Sequence, residues 1–154
     1  MHFSIFEFKK KLKDGNIIGI DYGEKKIGIA ISSPDRSYAL PLCRITNKQD
    51  PKIFASEIKN IVISRSVVGI VIGYAVHIDG NKTQSSQKIE NVADTLANYL
   101  KLPIYFQEER RTSRLADSLL KIAGLRRKER NAQDDLVAAT IILDSALGSI
   151  RANN

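Results

Sequence analysis

The chain is poor in the residues that staple small proteins or bind soft metals: of 154 residues, one is cysteine, Cys43, and two are histidine. A lone cysteine excludes an intramolecular disulfide, and no Cys/His spacing of the zinc-site kind is present. Cys43 lies in the apolar-rich stretch YALPLCRI, where a small buried core residue is expected. Long apolar runs are also missing. The longest, VVGIVIGYAV, is well short of the roughly 20 residues of a membrane span, and the opening MHFSIFEFKKKLKDG lacks the basic-then-apolar order of an export signal. A soluble cytoplasmic protein with no membrane contact is therefore expected. No internal repeat, low-complexity tract or inter-domain linker interrupts the sequence. A single domain over residues 16–150 is expected, with an extension at 1–15 and a short tail at 151–154. The extension FSIFEFKKKLK carries Phe3, Phe6 and several lysines, and is compatible with docking on the domain, contact with RNA or a disordered leader.

What the chain has in excess is positive charge: 24 Lys and Arg against 17 Asp and Glu, a net +7 and a pI near 9.6. Such a balance suits a polyanionic partner such as nucleic acid. The excess is concentrated, since Lys101 to Arg130 holds nine basic and four acidic residues and so accounts for five of the seven net charges. Hydrophobic residues make up 43% of the chain, enough for a sizeable core.

Between Asn16 and about Ile45, the β-rich stretches NIIGIDYG, KKIGIAISS and SYALPLCRI follow one another through tight turns, which predicts a three-stranded antiparallel meander. Asp50 before Pro51 supplies a helix N-cap and a proline at the first helical position, and Phe54, Ile58, Ile61 and Val62 recur at helical spacing. The run VVGIVIG, Val67 to Gly73, reads as a strand buried on both faces. After the polar loop HIDGNKTQSS, Ile89, Val92, Ala93, Leu96 and Leu100 form a helical stripe, and Pro103 precedes a short strand, IYFQ, completing a βαβ unit. TSRLADSLLKIA predicts a further helix ending at Gly124, and a charged linker, LRRKERNAQ, leads into a last helix opening at DDLVAATIILDSAL. The element order predicts an α/β, RNase H-like fold: a mixed five-stranded sheet, three antiparallel strands extended by parallel ones, with helices on both faces.

Three acids stand out against this frame. Asp21 interrupts the apolar IIGIDYGEKKIGIA where the first strand meets a turn, and taken alone it also suits a turn-forming aspartate. Glu108 and Glu109, in QEERRTS, follow the last predicted strand at the carboxyl edge where open α/β sheets bind ligands. Strand alternation lets at most one of the two share a face with Asp21. In DDLVAA, with Leu136, Ala139, Leu143 and Leu147 as the buried stripe, Asp135 flanks the stripe and can reach the sheet, while Asp134 points away as an exposed cap. Three carboxylates from two strand ends and a helix start can converge on a hard cation such as Mg2+ or on a pair, the arrangement that hydrolyses phosphodiesters. That would reconcile acids at the centre of a basic protein with a phosphate-bearing partner.

These motifs resemble the YqgF family of RNase H-like nucleases, bacterial proteins proposed to process pre-16S rRNA and also described as Holliday junction resolvases. The resemblance extends over nearly the whole chain after the first 15 residues. GIDYGEKKIGIA matches the family's opening motif and assigns its acid to Asp21; VVGIVIGYAVHIDG matches its apolar strand and Asp-Gly loop, with Tyr74, Ala75 and His77 in place of the usual leucine, proline and asparagine. EERRTS resembles the family's Asp-Glu-Arg segment, assigning the catalytic glutamate to Glu109, with Glu108 replacing an aspartate, and DLVAA resembles its Asp-x-x-Ala-Ala helix, assigning Asp135. A fourth acid of related resolvases would fall at Ala132. The resemblance thus implies Asp21, Glu109 and Asp135 as catalytic residues and ligands of Mg2+ or Mn2+, with pre-16S rRNA as substrate.

Basic residues flank these acids. Arg110, Arg111 and Arg114 follow Glu109, while Arg126, Arg127, Lys128 and Arg130 in RRKER precede Asp135. Both groups are placed to clamp phosphates, a solvated charged linker being the alternative for RRKER. Lys25 and Lys26, after the DYG turn, would contact phosphate or pair with nearby acids; His77 reads as a surface loop residue. Beside a metal-dependent RNA nuclease, two readings remain open: a junction resolvase acting on branched DNA as a symmetric dimer, and a non-catalytic nucleic-acid-binding or ribosome-associated factor. Monomer and homodimer are both compatible with the sequence.

Overall fold

Alternating isoleucines set the strands, because side chains of one parity must be buried together while those of the other face the opposite layer. The structure, a computed structural model, describes residues 4–75, 84–109 and 127–152, leaving aside the side chains at 75, 84, 85, 109 and 127–133. Five strands, β1 (Asn16–Tyr22), β2 (Lys26–Ser32), β3 (Ala39–Thr46), β4 (Val67–Ala75) and β5 (Ile104–Glu109), form one sheet in the order β3-β2-β1-β4-β5. β1 pairs antiparallel with β2 and β2 with β3, whereas β4 runs parallel to both β1 and β5. This is the mixed sheet expected from the sequence; the described residues place four helices on its two faces: α1 (Ile5–Lys11), α2 (Pro51–Arg65), α3 (Gln84–Leu100) and α4 (Arg127–Ala152).

One parity class, including Ile18, Ile20, Ile29, Ile70 and Ile72, packs against Phe54 and Ile58 of α2 and Val92 and Leu96 of α3. The other, Ile17, Ala30 and Val71, packs against Phe8 of α1 and Ala139, Ile142, Leu143 and Ala146 of α4. Helix α2 begins as its sequence predicts. The Asp50 carboxylate accepts a hydrogen bond from the Lys52 N–H at 2.9 Å, and Pro51 occupies the first turn, where no N–H is required.

Four expectations need correction. β5 is longer than IYFQ and carries Glu108 and Glu109 within the strand. Helix α4 opens at Arg127, so the segment read as a charged linker is largely helix, and Asp134 and Asp135 lie inside it rather than at its start. Its Lys, Arg, Glu, Gln and Ala side chains lose little freedom in a helix, which favours this outcome. Asp134 is therefore not an exposed cap; its Oδ1 is buried. Cys43 is only half-buried. The helix expected over TSRLADSLLKIA, the loop around His77 and the last two tail residues lie outside the described residues. Among the described residues, no helix is long and apolar enough to cross a membrane.

Between β2 and β3 the register slips: Ile29 pairs with Cys43 but Ala30 with Pro41, leaving Leu42 as an extra residue in the edge strand. Leu42 and Cys43 both pack on the core shared with α2 and α3.

The N-terminal extension is tied to the sheet by α1. Ser4 and Glu7 form a reciprocal capping box, Phe8 is fully buried against the Tyr105 ring (centroids 5.7 Å apart), and the Lys9 ammonium donates to the Ile150 carbonyl at 3.2 Å. Phe8→Ala should cost about 3 kcal/mol through the cavity it leaves. Phe6→Ala, at a ring 53% exposed, should stay near neutral. Urea midpoints of the two variants check this.

Candidate active site

The site grows from a place where the sheet contributes no side chain to its contact with a helix. A Cβ built on Gly19 of β1 would fall 2.6 Å from the Leu143 Cβ, and one on Gly28 of β2 would fall 2.0 Å from the Asp135 carbonyl oxygen. Real side chains do not approach so closely, so glycine at both positions lets α4 lie directly on β1 and β2. The contact at Gly28 brings Asp135 down to the sheet surface.

Gly28 is the cross-strand partner of Asp21. Residues directly opposite in an antiparallel pair share a face at a Cα separation of about 5 Å, and Asp21 also has the parity of Gly19, which faces α4. The two aspartates assigned to catalysis, 114 positions apart in sequence, thus both border one glycine. On the other side of Gly28, its partner in β3 is Arg44, whose guanidinium Nε lies 3.4 Å from Asp135 Oδ2. Asp21, Gly28 and Arg44 form one row across three strands, with Asp135 above its centre.

Burial is the main influence on Asp135 and pushes its carboxyl above the ordinary aspartate range. The Arg44 charge opposes this, neighbouring Asp134 reinforces it, and Arg44 hydrogen bonding and the Lys26 charge oppose it further. A bound cation would relieve the same cost.

The turn after Asp21 is held from outside. Asn47 Nδ2 donates to the Gly23 carbonyl at 2.8 Å, Gln49 Nε2 to that of Glu24 at 2.6 Å, and the Asn47 N–H to that of Lys25 at 2.9 Å. These bonds fix where Lys25 and Lys26 emerge. Both are exposed, and Lys26 Nζ donates to Thr46 Oγ1 at 2.8 Å.

Glu109 is the last residue of β5, in register with Ala75, at the carboxyl end shared by the parallel strands β1, β4 and β5. Its side chain lies outside the described residues. Glu108 is exposed, as expected for the neighbour of opposite parity. Arg127, Lys128 and Arg130 belong to the opening of α4, with side chains outside the described residues, as are Arg110, Arg111, Arg114 and Arg126 altogether. Among the described residues, no three His, Cys, Asp or Glu side chains come together as metal ligands. The pair at Gly28 nonetheless supplies the carboxylate oxygens that a hard divalent cation takes.

Two residues at the site escaped the sequence reading. Arg44 sits past the register slip in β3, so counting alternate positions from the start of the strand cannot assign its face. Gln107, in register with Gly73, has a buried Oε1 with no hydrogen-bond partner among the described residues. An amide between Phe106 and Glu108 carries no signal for this in the sequence.

Comparison with known proteins gives the fold and the family. Curated relatives named "Putative pre-16S rRNA nuclease" include one from Rickettsia peacockii, 40% identical over 94% of this chain and 93% of its own, and one from Rickettsia bellii, 43% identical over 93% and 92%. Among solved structures, Thermus thermophilus RuvC in complex with a Holliday junction substrate superposes with a TM-score of 0.53 at 14% identity, covering 90% of this chain and 97% of that one, which establishes the RNase H-like fold. Residues 15–149 match the family model RuvX, described as Holliday junction resolvase. The chain therefore belongs to the RuvX (YqgF) family of nucleases.

Proposed function

We propose that this protein is a divalent-metal-dependent endonuclease of the cytoplasm that hydrolyses phosphodiester bonds in the precursor of 16S rRNA. The observation that carries the reading is that Asp21 and Asp135 both border Gly28, which gives a basic protein two carboxylates on one face near the carboxyl edge of its parallel strands. The names of its relatives support the substrate.

Asp21 and Asp135 would hold Mg2+ or Mn2+, together with Glu109, whose strand position has the parity of Tyr105 on the α4 side. The bound cation would activate water and neutralise charge developing on the phosphate. The backbone of Asp21 is fixed by its place in β1 and that of Asp135 by the helix–sheet contact. Lys25 and Lys26 on the clamped turn, with Arg110, Arg111, Arg114, Arg126, Arg127, Lys128 and Arg130, would draw in the nucleic-acid backbone and set its path across the site.

The test is incubation of precursor 16S rRNA and of a four-way DNA junction with Mg2+, Mn2+ or EDTA. Metal-dependent cleavage of the RNA is expected, and absence of cleavage of either substrate despite tight binding would favour a non-catalytic factor. The family's resolvase description favours a second reading, branched DNA as substrate. That reading requires junction cleavage in preference to RNA and a symmetric homodimer by light scattering, whereas the RNA reading is served by a monomer.

A further inference from the structure

We infer that Arg44 is a phosphate-binding residue of this site, held by Asp135 through its Nε edge and offering its remaining N–H donors to a backbone phosphate of the nucleic acid. The inference rests on the nuclease reading of the Asp21–Asp135 pair and adds a subsite to it on the β3 side of Gly28.

Position points to this role. The row across the sheet places Arg44 one strand beyond Gly28, and Gly28 contributes no side chain, so the guanidinium and both aspartates border the same bare patch. A phosphate reaching the aspartates from that side meets Arg44.

Hydrogen-bonding capacity points the same way. Guanidinium is a planar fork with five N–H donors, suited to bidentate contact with phosphate oxygens. Asp135 engages the Nε edge at 3.4 Å, and among the described residues Arg44 has no other ionic partner. The side chains of Arg44 and Asp135 are both partly exposed, 31% and 23%, so the pair lies at the surface within reach of a ligand.

Energetics agree. A partly exposed ion pair contributes little to stability by itself. Asp135 instead removes part of the rotational freedom of a long side chain before substrate arrives, which lowers the entropy lost on binding. In the free protein Arg44 offsets the Asp135 charge; with a cation bound to the carboxylate, its own charge is available to phosphate.

The test measures binding of a fluorescent precursor-16S hairpin and a labelled four-way DNA junction in Ca2+, across a salt series, with gels confirming that the probes stay intact. Arg44→Ala should weaken binding of the probe the wild type prefers about tenfold and flatten the slope of log K against log salt by about one unit. Arg44→Lys should retain the slope while losing part of the affinity, because it keeps the charge but not the fork. It also serves if Arg44→Ala fails to fold. Unchanged slope and affinity in Arg44→Ala would overturn the inference and leave Arg44 as a counter-charge for Asp135 only. Metal-dependent cleavage in the wild type together with that result rejects this subsite but not the nuclease. The expected slope change without cleavage of any substrate rejects the nuclease but not the phosphate contact. A wild type that binds neither probe overturns both.

Discussion

Asp21→Asn should abolish metal-dependent cleavage, by at least about a thousandfold or about 4 kcal/mol of transition-state stabilisation, while leaving the fold and nucleic-acid binding in place. Asparagine has nearly the shape of aspartate, so the packing around Gly28 and the β1–β2 ladder is undisturbed. What it removes is a negative charge that a hard cation requires. The measurement is single-turnover cleavage in Mg2+ beside a thermal melt and a binding isotherm. A variant that still cuts within tenfold of wild type would displace Asp21 from the centre of the site; one that melts far below wild type would show that its role is structural.

The second large effect is expected at a residue with no functional group at all. In Gly28→Ala the added Cβ would lie 2.0 Å from the Asp135 carbonyl oxygen and 2.6 Å from its carbonyl carbon, both backbone atoms that no rotamer change can move. Helix α4 would have to lift from the sheet. The expected cost is about 3 kcal/mol, at the upper end for overpacking, with cleavage falling at least as far as in Asp21→Asn because Asp135 rises with the helix. Gly148→Ala in the same helix is the control: its nearest neighbour would be Arg151 Nη2 at 3.8 Å, so it should be neutral or gain about 0.5 kcal/mol from the better helix former. Denaturant midpoints of both variants decide the matter, and a Gly28→Ala protein within about 0.5 kcal/mol of wild type would refute the contact as the determinant of helix depth.

These two positions also mark how far the sequence could be read. Asp21 was visible because a lone acid between isoleucine-rich strands conflicts with burial, and α2 was visible because Asp50 and Pro51 spell out its start. Asp135 was singled out over Asp134 by helical geometry, although the helix begins earlier than expected. The arginines and lysines of RRKERNAQ suggested a solvated linker, but they are good helix formers, and charge alone cannot distinguish an exposed helix from a loop. Gly28 was legible as a glycine and not as the floor beneath Asp135, because that contact joins residues 107 positions apart. Arg44 was hidden for a local reason: one extra residue at Leu42 shifts the parity of the strand that carries it.

The same irregularity in β3 bears on how copies of the protein can meet. β3 forms a rim of the sheet, and a regular rim is open to continuation by a strand from another molecule. Here Pro41 has no amide hydrogen to offer an incoming strand, and the extra residue beside it breaks the even spacing that such a strand would follow. The rim thereby resists edge-to-edge aggregation, and a pair of subunits assembled for cutting two strands of a junction is not expected to join by continuing the sheet past β3.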